Sequence, residues 1–137
     1  MKEANIQTLF GKWLKGGRFL ETTAFELKLC KQKAIPLNSV KEHQVEGLLQ
    51  AKKGLYHKIS DSPIFAGQQT RFNAKKPFDC LWIKAKEAYV AICWYIPRKP
   101  KYLHLIPIDE WIKITKTHKR KSIREEEVEG VSYKIKL

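Results

Sequence analysis

Ala88-Tyr89-Val90-Ala91-Ile92-Cys93-Trp94-Tyr95-Ile96 is apolar at every position. A strand with one wet face alternates polar and apolar residues. An unbroken run rich in β-branched and aromatic residues therefore predicts a central strand covered on both faces. Just upstream, residues 78–83 form a second apolar run, separated from the first by the charged turn Lys84-Ala85-Lys86-Glu87, and the pair reads as a hairpin. Downstream, the basic turn Pro97-Arg98-Lys99-Pro100-Lys101 leads to another strand over 102–106. Asp109 is placed to cap a short helix carrying Trp111 and Ile112. From Thr115 the pattern decays into mixed charge, Lys119-Arg120-Lys121 and then Glu125-Glu126-Glu127, with a last strand over 132–137.

The covering elements lie in the first half of the chain. Ile6, Leu9, Phe10, Trp13 and Leu14 recur at helical spacing and make one apolar stripe, which Gly16-Gly17 ends. Residues 19–29 read as extended. Phe25, Leu27 and Leu29 alternate there with Glu26, Lys28 and Cys30, so Glu26 and Lys28 project from one face. Residues 31–38 form a loop with Pro36. Ser39-Val40-Lys41-Glu42 reads as a capping box opening a second helix, and Gly54 after Lys52-Lys53 closes it. Gln44 falls between Val40 and Leu48 on the inward side of that helix. A buried amide is costly unless hydrogen-bonded, so Gln44 should have a partner. A strand over 55–60 and a 16-residue loop over 61–76 complete the pass. Loops of that length tend to be functional or disordered. The order of elements predicts an α/β fold with a mixed central β-sheet flanked by helices. One domain spans 1–137, with 115–137 as a C-terminal extension.

Composition narrows the function classes. The hydrophobic fraction of 43% in 137 residues excludes a disordered chain. No apolar run approaches the ~20 residues of a membrane span. The first residues, Met1-Lys2-Glu3-Ala4-Asn5, hold no apolar signal segment, so the expectation is a cytoplasmic, intracellular protein. Cys30, Cys80 and Cys93 are an odd count without C-x-x-C spacing, which argues against a disulfide framework or a zinc site. The net charge of +13, from 27 Lys+Arg against 14 Asp+Glu, points to a polyanionic partner, most simply nucleic acid.

The acids that remain are informative. In Glu26-Leu27-Lys28 the carboxylate suits a hard divalent cation, and the ammonium can hold an attacking water or a developing phosphoryl charge. The plain alternative is a solvated strand face with a cross-strand ion pair. Asp79 stands at the mouth of the apolar run 78–83, where a charge is expensive unless paired or metal-bound. Its own plain alternative is a strand cap, or an ion pair with Lys75 or Lys76.

Phe25-Glu26-Leu27-Lys28, then Ile35-Pro36-Leu37-Asn38, then His43-Gln44 in a capped helix resembles the RecU-like Holliday junction resolvases of the PD-(D/E)XK nuclease superfamily. The resemblance covers residues 20–60. It implies a restriction-endonuclease-like core and hydrolysis of DNA phosphodiesters with Mg²⁺ or Mn²⁺, in a phage or in a bacterial or archaeal cell. It makes Glu26 a metal ligand, Lys28 the catalytic lysine and Gln44 the helix residue that reaches the site. A two-fold symmetric junction as substrate implies a homodimer.

One departure stands out. The family carries an aspartate a dozen residues before Glu-x-Lys, whereas the only acids upstream here are Glu3 and Glu21. Either Glu21 serves from a short hairpin, or Asp79 serves because strand 78–83 folds back beside strand 24–29, a permuted site. Some members of the superfamily use an acid on the first helix, where Glu3 and Gln7 flank the apolar stripe. Lys31, Lys33, Lys41, Lys52, Lys53, Arg71, Lys75, Lys76 and the basic turn Pro97–Lys101, with His43 on the helix surface, are the candidate contacts to DNA, branched or duplex. Two alternatives remain open. One is a non-catalytic nucleic-acid-binding module on the same fold, and the other is a superfamily nuclease acting on duplex or single strands.

Overall fold

The computed structural model describes residues 1–15, 23–59 and 79–137, with side chains described outside 55–59 and 79–83. Helix α1 (Glu3–Leu14) precedes strand β1 (Thr23–Cys30). A short strand β2 (Ala34–Pro36) and a 3₁₀ turn (Leu37–Ser39) lead to α2 (Glu42–Lys53), followed by β3 (Leu55–Ile59) and β4 (Asp79–Ile83). Then come β5 (Glu87–Trp94), β6 (Tyr102–Pro107), α3 (Ile108–Thr117), β7 (Ser122–Arg124), α4 (Glu125–Val128) and β8 (Tyr133–Lys136).

The main sheet has the order β1-β5-β6-β8. β1 runs parallel to β5, while β5–β6 and β6–β8 are antiparallel, so the sheet is mixed. The expected central strand is β5. Ala88 and residues 90–93 are fully buried, because both faces of the strand are covered. One face packs Ala91, Cys93, Leu103 and Leu105 against Ile6 and Phe10 of α1. The other packs Ala88, Val90, Ile92, Trp94 and Ile106 against Leu48 of α2 and Ile108 and Trp111 of α3. The alternation of β1 follows the same division. Phe25, Leu27 and Leu29 join the α1 side, and Ala24 and Cys30 join the α2 side. Glu26 and Lys28 therefore sit on the face that α2 covers.

Several expectations are corrected. β4 does not form a hairpin with β5. It pairs antiparallel with β3 in a separate two-stranded sheet, Ile59 opposite Asp79. The supposed turn is tethered instead. Ala85 is buried, and its N–H donates to the carbonyl of Ala51 in α2 at 2.8 Å, which carries the chain from one sheet to the other. Residues 34–36, expected in a loop, pair with β7. The segment 115–137 is part of the core rather than an appendage, since Ile123 and Val128 are buried in it and β8 extends the main sheet. Its apolar residues are simply too sparse to show a period. Helix α3 starts at Ile108 after Pro107, so Asp109 lies in its first turn and caps nothing. Gly54 does end α2. It adopts φ 116°, which glycine alone reaches cheaply, and its N–H closes on Gln50 O at 2.8 Å.

Cys30 and Cys93 are buried, free thiols, and burial pushes Cys93 up to about 11. That agrees with core thiols rather than ligands or nucleophiles. Cys80 lies outside the described side chains. Among the described residues no helix is long and apolar enough to cross a membrane.

Candidate functional site

Three of the sequence-selected residues meet. Lys28 Nζ lies 2.9 Å from Glu26 Oε1, and Gln44 Nε2 donates to the same oxygen at 2.7 Å. Gln44 thereby finds the partner its inward position requires. Its orientation has a local cause. The first amides of a helix lack intrahelical acceptors, and Lys41 N–H donates to Gln44 Oε1 at 2.9 Å. With the amide oxygen held by the backbone, the amide nitrogen points toward the sheet and donates to Glu26. The helix start is thus Lys41 with Gln44, two residues later than the Ser39–Glu42 box expected; the 3₁₀ turn at 37–39 takes up the difference.

The cluster is half-buried. The Lys28 side chain is 15% exposed and that of Glu26 26%. Both donors converge on Oε1. A carboxylate has about four lone-pair sites on two oxygens, so Glu26 keeps acceptor capacity on Oε2. Lys28 also lines an open hollow of about 430 Å³ with Glu3, Lys31, Gln32 and Pro36. It lies toward the carboxyl ends of the parallel pair β1 and β5, where ligands of open α/β sheets gather. Glu3 of α1 is the one described carboxylate that lines this hollow; Glu26 reaches it only through its contact with Lys28.

The remaining site residues divide clearly. Asp79 opens β4, whose partner is β3, so strand 79–83 does not lie beside β1 as the permuted arrangement requires. The position of the Asp79 carboxylate lies outside the described side chains. Glu21, Arg71, Lys75 and Lys76 fall outside the described residues. Lys31, Lys33, Lys41, His43 and Lys53 are exposed, as phosphate contacts must be. Lys52 is not available for DNA. Its ammonium is held 2.5 Å from Asp109 and 3.1 Å from Glu87, pinning α2 to the starts of α3 and β5, and those carboxylates raise its pKa.

A second polar cluster escapes the sequence. His104 is the one described polar residue buried in the core, with Nδ1 3.0 Å from Ser132 Oγ and Nε2 2.9 Å from Glu125 Oε1. The trio has the makings of a nucleophile relay, but the ring is 0% exposed. A general base must reach the proton it removes from a bound reactant. With both nitrogens satisfied and no access, His104 ties β6 to α4 and the start of β8. The only trace in sequence is one histidine inside an apolar strand; its partners lie 21 and 28 residues away.

Among the described residues no three His, Cys, Asp or Glu side chains group in a way that would hold a metal ion by themselves. Mg²⁺ does not require that. It usually keeps several waters and binds through one or two carboxylates plus substrate phosphates. One oriented carboxylate whose second oxygen has no partner among the described residues fits that demand. Comparison of the chain with family models, with curated proteins and with solved structures finds no match.

Proposed function

We propose that the chain is a divalent-metal-dependent endodeoxyribonuclease with a restriction-endonuclease-like core, acting on branched DNA in the manner of a Holliday junction resolvase. The observation that carries this reading is the convergence of Lys28 and Gln44 on Glu26 beside an open, basic hollow.

Glu26 would hold Mg²⁺ or Mn²⁺ through the oxygen that Lys28 and Gln44 leave free, with Glu3 or Glu21 as the second acid. A bound ion supplies Lewis acidity toward a phosphodiester oxygen. The chain's own residues do the rest. Gln44 fixes the rotamer of Glu26. Lys28 balances its charge and stands at the hollow, where its ammonium can hold a water or a phosphate oxygen. The exposed lysines hold the duplex by its phosphates without reading sequence. A four-way junction, being two-fold symmetric, calls for two copies of the chain. The test is incubation of labelled four-way junction, duplex and single strand with Mg²⁺, against EDTA. Nicking confined to the Mg²⁺ lanes and strongest on the junction is expected; intact DNA in all lanes overturns the reading.

Binding should fall steeply with salt. With about six phosphates engaged, affinity for duplex drops roughly 10³-fold between about 50 and 200 mM salt. Replacing Lys31 and Lys33 by Gln together should lower the slope of log affinity against log salt by about 2. Fluorescence anisotropy in EDTA measures both, and an unchanged slope would remove the two lysines from the interface.

A further inference from the structure

Next to the Lys28 hollow lies a second hollow, of about 680 Å³, which shares Lys31 and Gln32 with the first. Its apolar wall is Trp94, Tyr95, Ile96 and Pro97, the point where β5 leaves the sheet. This is an unusual place for such residues. Ile96 is 49% exposed at the end of a strand otherwise buried. Trp94 is only 7% exposed, yet its indole N–H is one of two buried side-chain polar atoms without a hydrogen-bond partner among the described residues. A buried donor left unpaired costs free energy that a bound acceptor or water would recover.

Charges of both signs line the hollow. Lys31 and Lys33 are exposed and without an ion pair among the described residues. Glu126 is set against Arg124 at 3.8 Å, and Glu125 is engaged by His104 and Lys134, so the two lysines are the free charges of the hollow among the described residues. Phosphate would be attracted to the lysines. A nucleobase has a face that stacks on aromatic and apolar side chains.

We propose that this hollow is a subsite for one unstacked nucleotide of single-stranded DNA. Its base lies against Tyr95 and Ile96, and its phosphate rests on Lys31 and Lys33. Because Lys31 and Gln32 line both hollows, the strand continues from this subsite into the Lys28 hollow. The proposal deepens the nuclease reading and rests on it for its biological sense. It gives the enzyme a reason to prefer DNA with an unpaired nucleotide, as at a branch or flap, because a base inside a continuous duplex cannot reach the wall.

The test is binding in EDTA, which is independent of cleavage. Anisotropy of a labelled oligothymidylate and of a labelled blunt duplex is compared for wild type, Tyr95→Ala, Ile96→Glu and the pair Lys31→Gln with Lys33→Gln. Loss of one stacking contact should weaken single-strand binding about tenfold in Tyr95→Ala, with duplex binding within about twofold of wild type. Ile96→Glu should do the same by charge, and at so exposed a position it cannot undo the fold. The lysine pair should weaken both DNA forms. Equal losses on duplex and single strand for Tyr95→Ala and Ile96→Glu, or no loss on either, overturn the subsite. Failure of the nuclease reading would look different: wild type leaves DNA uncut in Mg²⁺ while the single-strand selectivity of these variants persists.

Discussion

Glu26→Gln is expected to lower the rate of Mg²⁺-dependent DNA cleavage by at least about 10³-fold while leaving DNA affinity and melting temperature near wild type. The substitution is nearly isosteric. The amide oxygen still accepts from Lys28 and from Gln44, which both use a single oxygen of Glu26 in the native chain. What is lost is the negative charge, and with it the hold on a hard cation. Such a loss corresponds to on the order of 4 kcal/mol of transition-state stabilisation, within the range a bound metal supplies. Gln44→Ala should act more mildly, by about 10- to 100-fold, because it removes the group that orients the carboxylate rather than the carboxylate itself. Rates close to wild type in Glu26→Gln under saturating Mg²⁺ would remove the cluster from the chemistry.

Trp111→Ala should destabilise the fold by about 3–5 kcal/mol, the range for deleting a large aromatic from a core. Trp111 is fully buried under the sheet on the α2 side, where α3 packs against Ile92 and Ile106. Total stability of a domain this size is on the order of 5–15 kcal/mol, so the variant sits near the threshold of folding. The melting temperature should fall on the order of 10–20 °C. Trp111→Phe gives the contrast. The indole N–H has no partner among the described residues, so removing it removes an unmet donor and offsets part of the lost packing. Urea midpoints for the two variants measure this. A loss below about 1 kcal/mol in Trp111→Ala would show that α3 is not integral to the core.

The central strand could be read from sequence because burial on both faces leaves no room for polar residues in 88–94. The meeting of Glu26, Lys28 and Gln44 could be read for a related reason. Strand alternation puts the first two on one face, and the helical stripe turns the third inward. The pairing of residues 79–83 could not. Proximity in the chain favours a hairpin with β5, and only the bond from Ala85 to Ala51 diverts the path. The place of 115–137 was equally hidden, since Ile123 and Val128 are single apolar residues among charges that matter only once β2 lies beside β7. The second hollow was invisible for another reason. Tyr95 and Ile96 read as the tail of a buried strand and Pro97 as the start of a basic turn, and nothing local says that Lys31 and Arg124 will line the same hollow.

Whether Glu26 holds a divalent cation can be measured without any turnover. Mn²⁺ is titrated into wild type and Glu26→Gln, and the free ion is followed by electron paramagnetic resonance. Wild type should remove Mn²⁺ from solution saturably, and Glu26→Gln, folded to the same extent, should not. Equal uptake by the two proteins, or none by either with DNA bound, would contradict the assignment of Glu26 as the metal-holding carboxylate.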